Sequence, residues 1–218
     1  FFFFKQKTAY EIRASDSSSD VCSSDLSNNI CQKGDHTMPL PKAETYTLED
    51  IYNLPDGERA ELIDGQIYYM APTPSRTHQL ISGDLFAAIY NYIKEHKGKC
   101  EVYSAPFAVF INKDDFNYVE PDISVVCDPN KLNDKGCNGA PDWIIEIVSP
   151  SSRRMDCSTK LFKYRTAGVR EYWIVDPAKE RITVWDFEND DTADYTFKDK
   201  VKAGIYSDLY IDFGKMEL

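Results

Sequence analysis

The sequence predicts one α/β domain, and three observations carry that prediction. Short apolar runs with strand-like alternation recur from Ala60 to Ile211, separated by turn residues. One segment, Thr77 to Lys97, instead repeats its apolar residues at intervals of three and four, the spacing of a helix with one buried face. Between Pro141 and Pro177 come an apolar run, a Ser-rich turn, a basic helical stretch and a second apolar run. A chain of 218 residues is long enough for one such domain with a real core.

Residues 1–37 show neither periodicity: four Phe open a Ser/Asp-rich patch ending in VCSSDL. They are expected to be a non-native or disordered leader, similar to translated sequencing-adapter read-through, with Met38 as the natural start and residues 38–218 as the single domain. Thr47 is placed to cap a short helix, Leu48 to Leu54, with Glu49 and Asp50 at its positive end. Asp64-Gly65 between Ala60–Ile63 and Gln66–Met70 is a hairpin signal. In the long helix, Gly83 costs up to ~1 kcal/mol relative to Ala, which a close packing contact could offset. Strands are expected over Cys100–Ser104, Phe107–Ile111 and Tyr118–Cys127, where Pro121 implies an edge, a bulge or a bend in the last. A loop follows over Asp128–Ala140, then the strands Trp143–Val148 and Tyr172–Val175 around the basic helix. Ile182–Phe187, Tyr195–Phe197 and Leu209–Ile211 complete the strands.

No apolar run approaches the roughly 20 residues that cross a bilayer. A cytoplasmic protein without a membrane partner is expected. Six scattered cysteines lack a CxxC pair or zinc-ligand spacing, so reduced thiols are expected. The net charge of −11 argues against a surface that grips nucleic acid everywhere. Yet from Arg153 to Arg170 six basic residues face one acid, Asp156.

Two acids interrupt hydrophobic strands: Asp122 after Pro121, and Glu146 inside WIIEIV. If they lie together on one face, their repulsion at ~4 Å is about 4 kcal/mol at an effective dielectric near 20. A proton, a hard divalent cation or a lysine would relieve it. The helix after Ser149–Ser152 sets Asp156, Lys160 and Tyr164 four apart along one face, so Lys160 can come over Glu146. Taken alone, Asp156 and Lys160 are an ordinary intrahelical pair worth ~0.2–0.5 kcal/mol.

Pro121-Asp122, E-x-V-S-P-S from Glu146, D-x-x-x-K-x-x-x-Y from Asp156 and GVREYWIVDP from Gly168 together resemble the Uma-two family of restriction-endonuclease-like proteins. The resemblance extends to ELIDG at Glu61 and to the run from Met70 to His78. It implies the PD-(D/E)XK nuclease fold, a central mixed sheet flanked by helices, and Mg²⁺- or Mn²⁺-dependent hydrolysis of DNA. By that resemblance Asp122, Glu146 and the Ile147 carbonyl are metal ligands, and Asp122, Glu146 and Lys160 the catalytic set. Lys160 takes the place of the lysine expected two residues after Glu146, where Val148 stands. Glu61, His78, Asp156 and Tyr164 are auxiliary candidates, and Arg153, Arg154, Lys163 and Arg165 candidate DNA contacts. A homodimer is the partner state that an open sheet edge suggests. A catalytically inactive module of the same fold and a metal-free acid/base hydrolase are the alternative readings. Tyr172, Trp173 and Trp185 are expected to pack rather than stack on bases.

Overall fold

The computed structural model describes residues 44–70 and 73–216. The expected leader, and Ala71 and Pro72 of the Met70–His78 run, lie outside them. α1 (Leu48–Tyr52) is closed at its start by the Asp50 carboxylate, which accepts the Thr47 N–H at 2.7 Å. It leads into the hairpin of β1 (Ala60–Ile63) and β2 (Gln66–Tyr69). Asp64 and Gly65 turn it with positive φ at both positions, as a two-residue hairpin requires. α2 (Arg76–Glu95) starts where the Ser75 hydroxyl accepts the His78 N–H.

The central sheet has six strands: β3 (Glu101–Ser104), β5 (Ile123–Val126), β8 (Trp143–Ile147), β9 (Glu171–Asp176), β10 (Arg181–Asp186) and β11 (Asp191–Thr196). Their order is β11-β10-β9-β8-β5-β3. Only β8 and β9 run parallel, joined by a π-helical segment, Met155–Lys160, and α3 (Leu161–Ala167). The sheet is therefore mixed, as expected. β4 (Val109–Phe110), β6 (Leu132–Asn133) and β7 (Gly136–Asn138) form a small sheet of their own, and β12 (Lys200–Lys202) pairs with β13 (Tyr210–Asp212).

Strand alternation sorts the core into two layers. Ile123, Val125, Trp143, Ile145, Ile147, Trp173 and Val175 face α2, whose Ile81, Leu85, Ile89 and Ile93 are buried against them. Val126, Ile144, Tyr172 and Ile174 face the other way, onto Tyr164 of α3 and the small sheet. Glu146 belongs by alternation to this second face. Tyr172 and Trp173 are fully buried and Trp185 half-buried, as the packing reading expects.

The structure departs from expectation in three places. The strand expected over Tyr118–Cys127 is broken at Pro121: Tyr118 and Val119 bridge to Leu62 and Val109, and only Ile123–Val126 joins the main sheet. Proline lacks the N–H that a continuous ladder needs. The loop expected over Asp128–Ala140 holds β6 and β7. Cys100 and Cys127 form a disulfide, correcting the expectation of reduced thiols for this pair. The reason is register: with Glu101 opposite Val126, the next residues outward meet, 3.8 Å apart at Cα. Among the described residues Cys137 and Cys157 are free. No described helix is long and apolar enough to cross a membrane.

Candidate active site

The antiparallel register of β5 and β8 places Asp122 beside Glu146, one step beyond the pair Ile123 and Ile145. Each carboxylate has one oxygen pinned. Oδ2 of Asp122 accepts the Ile147 N–H at 2.7 Å and lies 3.2 Å from His78 Nε2. Oε1 of Glu146 accepts from the Lys160 ammonium at 2.9 Å and from the Tyr164 hydroxyl at 2.8 Å. Of the other two oxygens, Glu146 Oε2 makes only a long 3.5 Å contact with the Asp122 N–H. Asp122 Oδ1 has no hydrogen-bond partner among the described residues.

Lys160 is the centre of the buried charge. Its ammonium also meets Glu61 Oε2 at 2.8 Å and Asp156 Oδ1 at 3.6 Å. Glu61 arrives from β1 and is fixed by its second oxygen, which accepts the Glu120 N–H at 3.0 Å. The π-helical segment supplies Asp156 and Lys160 together, both buried, and α3 adds Tyr164 on the same side. The sequence spacing therefore brings the expected groups to one place, although the local helix is wider than an α-helix. π-Helical turns are rare and concentrate at functional sites.

Four carboxylates share this space with one ammonium and His78. Burial is the main force raising the Glu146 carboxyl well above its ordinary range; Lys160 opposes it, and Asp156, Asp122 and Glu61 add to it. Burial likewise raises Asp156. Burial alone would discharge Lys160, but Glu146, Glu61 and Asp156 outweigh it and hold the ammonium protonated. For His78 burial again works toward the neutral ring, and the hydrogen bond and charge of Asp122 reverse it, with a backbone hydrogen bond to Ile147 contributing. The site thus gathers more acidic groups than basic ones.

A cavity of about 620 Å³ opens onto these groups, lined by Glu61, His78, Asp122, Glu146, Ile147, Asp156 and Lys160. β2 gives it an apolar wall of Ile67, Tyr68 and Tyr69, and Ser149, Ser151 and Ser152 form the opposite polar rim. The basic residues singled out in the sequence are elsewhere. Arg153 pairs with Asp176, Lys163 with Asp64 and Arg165 with Asp190, while Arg154 is exposed. None of the four lines the cavity.

Sequence reasoning missed Arg59 and Glu120. Glu120 is buried, paired with Arg59 and hydrogen-bonded by the Tyr118 hydroxyl at 2.6 Å. The available signal was alternation, which puts it on the face shared by Asp122, Ser124 and Val126. Arg59 gave no signal, because only the fold brings it to the cavity.

A family model named Uma2, described as "Putative restriction endonuclease", matches residues 45–203. The uncharacterized protein slr1290 of Synechocystis is 30% identical over 135 residues, which is 62% of this chain and 68% of that one. Among solved structures, the crystal structure of "a putative nuclease belonging to DUF820" from Anabaena variabilis superposes with a TM-score of 0.63. It is 21% identical, and the match covers 78% of this chain and 96% of that one, which establishes a shared fold.

Proposed function

Because the chain belongs to the Uma2 family of "Putative restriction endonuclease" proteins, we propose that it is a divalent-metal-dependent endonuclease that hydrolyses DNA phosphodiester bonds. One observation carries this reading: two carboxylates on neighbouring strands each keep one oxygen bound by the protein and the other available beside a cavity.

The donor set fits a hard cation. Among the described residues no group of three or more His, Cys, Asp and Glu stands ready around one point. Mg²⁺ needs less, since it usually keeps several waters and takes one or two carboxylates. Asp122 Oδ1, Glu146 Oε2 and the Ile147 carbonyl would hold it. When bound, it supplies a water of lowered pKa and offsets charge on the phosphoryl oxygens.

The remaining groups act by position. Lys160 and Tyr164 both donate to Glu146 Oε1, so they orient the carboxylate and leave its other oxygen toward Asp122. Lys160 is tied to carboxylates, and in this reading it is a positioning residue. Glu61 and Asp156 hold its ammonium in place. His78 orients Asp122 and, charged, adds a donor at the cavity wall for an anionic oxygen.

The test is cleavage of plasmid and oligonucleotide DNA with Mg²⁺ or Mn²⁺. Asp122→Ala and Glu146→Ala are expected to lose about 100-fold or more, in the range for removing a group that stabilises transition-state charge. Equal residual activity in wild type and both variants would end the proposal. A second reading, a nuclease-fold module without catalysis, is favoured by the pairing of Lys160, Arg153, Lys163 and Arg165 with acids of the protein itself. Titration calorimetry with Mn²⁺ separates the two, because such a module would show no binding that depends on Glu146. Activity that survives EDTA would point instead to Glu146 as a metal-free acid.

A further inference from the structure

Beside the main cavity lies a second, of about 340 Å³, between the N-terminal half of α2 and residues Ser104–Pro106. Arg59, Pro74, His78, Ala105 and Asp122 line both cavities. The wall between them therefore contains one of the two site carboxylates, the histidine that orients it, and a guanidinium. The Arg59 side chain is 47% exposed while it pairs with Glu120, so it keeps N–H donors for a further anion.

Both volumes are in or near the range of small-molecule sites, about 300–1,000 Å³. The site carboxylates lie deep, with the Asp122 side chain 20% and the Glu146 side chain 6% exposed. A reacting phosphate has to enter the cavity, and its neighbouring nucleosides enter with it. None of the four candidate DNA contacts, Arg153, Arg154, Lys163 and Arg165, lines either cavity, so they are not placed to grip a duplex around the reacting phosphate.

Two features of α2 shape the second cavity. Phe86 lines it, half-buried, with its ring stacked on Tyr90 at 5.9 Å and 16°. Gly83, on the same helix face three residues earlier, also lines it, and a Cβ there would meet no atom within 4 Å. A mid-helix glycine is unfavourable relative to alanine. Packing gives no reason for it here, but clearance in front of an aromatic ring does.

We propose that a single DNA strand threads both cavities. The phosphodiester lies at the shared wall between Arg59 and Asp122. One adjoining nucleoside occupies the main cavity, and the other stacks on Phe86 across Gly83. Aromatic stacking suits this role because every base has a π-face. The proposal rests on the nuclease reading and names its substrate as unpaired DNA.

Binding is measured by calorimetry on the full chain, with Ca²⁺ to screen Asp122 and Glu146. The ligands are thymidine 5′-monophosphate, 5′-phosphorylated di- and tetrathymidylate, and a short duplex. Dithymidylate is expected to bind tighter than the mononucleotide by roughly 5- to 150-fold, the worth of one stacked base. Tetrathymidylate should add little, and the duplex should bind more weakly than the single strand. Phe86→Ala and Gly83→Leu should each remove the mono-to-di step, with Gly83→Leu melting no lower than wild type. Absence of that step in wild type, or a Gly83→Leu protein that binds dithymidylate as wild type does, overturns the path. Metal-dependent cleavage lost in Asp122→Ala alongside those results leaves the nuclease reading standing. No cleavage by wild type alongside an intact step leaves the path standing and removes the nuclease.

Discussion

At the scale of single residues, the site depends on Lys160 having partners on every side. Lys160→Met leaves Glu61, Glu146 and Asp156 buried without a counter-charge, and a loss of about 3–5 kcal/mol is expected by urea denaturation. Tyr164→Phe is the milder probe. It removes one of two donors to Glu146 Oε1 and keeps the buried ring, so about 1–2 kcal/mol is expected in the same experiment. A Tyr164→Phe protein as unstable as Lys160→Met would contradict the division of roles. Glu146 was legible in sequence because an acid inside an apolar strand breaks a local rule, and Lys160 and Tyr164 because their spacing puts them on one helix face beside it. Arg59 breaks no rule, which is why it was invisible.

At the scale of elements, Gly83 and Gly168 give opposite lessons. Gly83→Ala is expected to raise stability by up to about 1 kcal/mol, seen as a higher denaturation midpoint, because the new methyl meets nothing and the helix gains propensity. Gly168 ends α3 with φ +92°, and Gly168→Ala should cost more than that helix gain despite similar open space around it.

Glu171, buried in β9, accepts N–H groups from Trp173 at 2.6 Å and from Gly204 and Ile205 at 2.9 Å each. It ties the sheet to the segment after β12. Burial raises its carboxyl above the ordinary value, with those three hydrogen bonds pulling the other way. The folded state therefore binds this proton more tightly than the unfolded chain does. The contribution is fully present below the ordinary carboxylate range and is lost as pH rises through the raised value. Unfolding free energy measured from about pH 4 upward should carry this negative slope in wild type and lose it in Glu171→Gln. Trp173 beside it read as a core strand from alternation alone. The disulfide and the strands β6 and β7 did not, since pairing between Cys100 and Cys127 is set by register across 27 residues.

At the scale of the whole molecule, the individual strands and the long helix followed from periodicity, the mixed sheet from the family resemblance, and the arrangement of parts around the cavity from neither. The hairpin of β1 and β2 is the clearest case. It is not a member of the six-stranded sheet; a bridge from Leu62 to Tyr118 and the ion pairs of Glu61 with Lys160 and Asp64 with Lys163 hold it in place. Its second strand forms one wall of the cavity. That wall should be among the first parts of the sheet structure to open. Amide hydrogens of Gln66–Tyr69 are expected to exchange faster than those of Trp143–Ile147 by mass spectrometry, and equal protection would refute this. A molecule occupying the cavity binds the closed hairpin only, so exchange in that strand should slow with occupancy. The hairpin would then report on binding as a clock does, by how long its amides keep their protons.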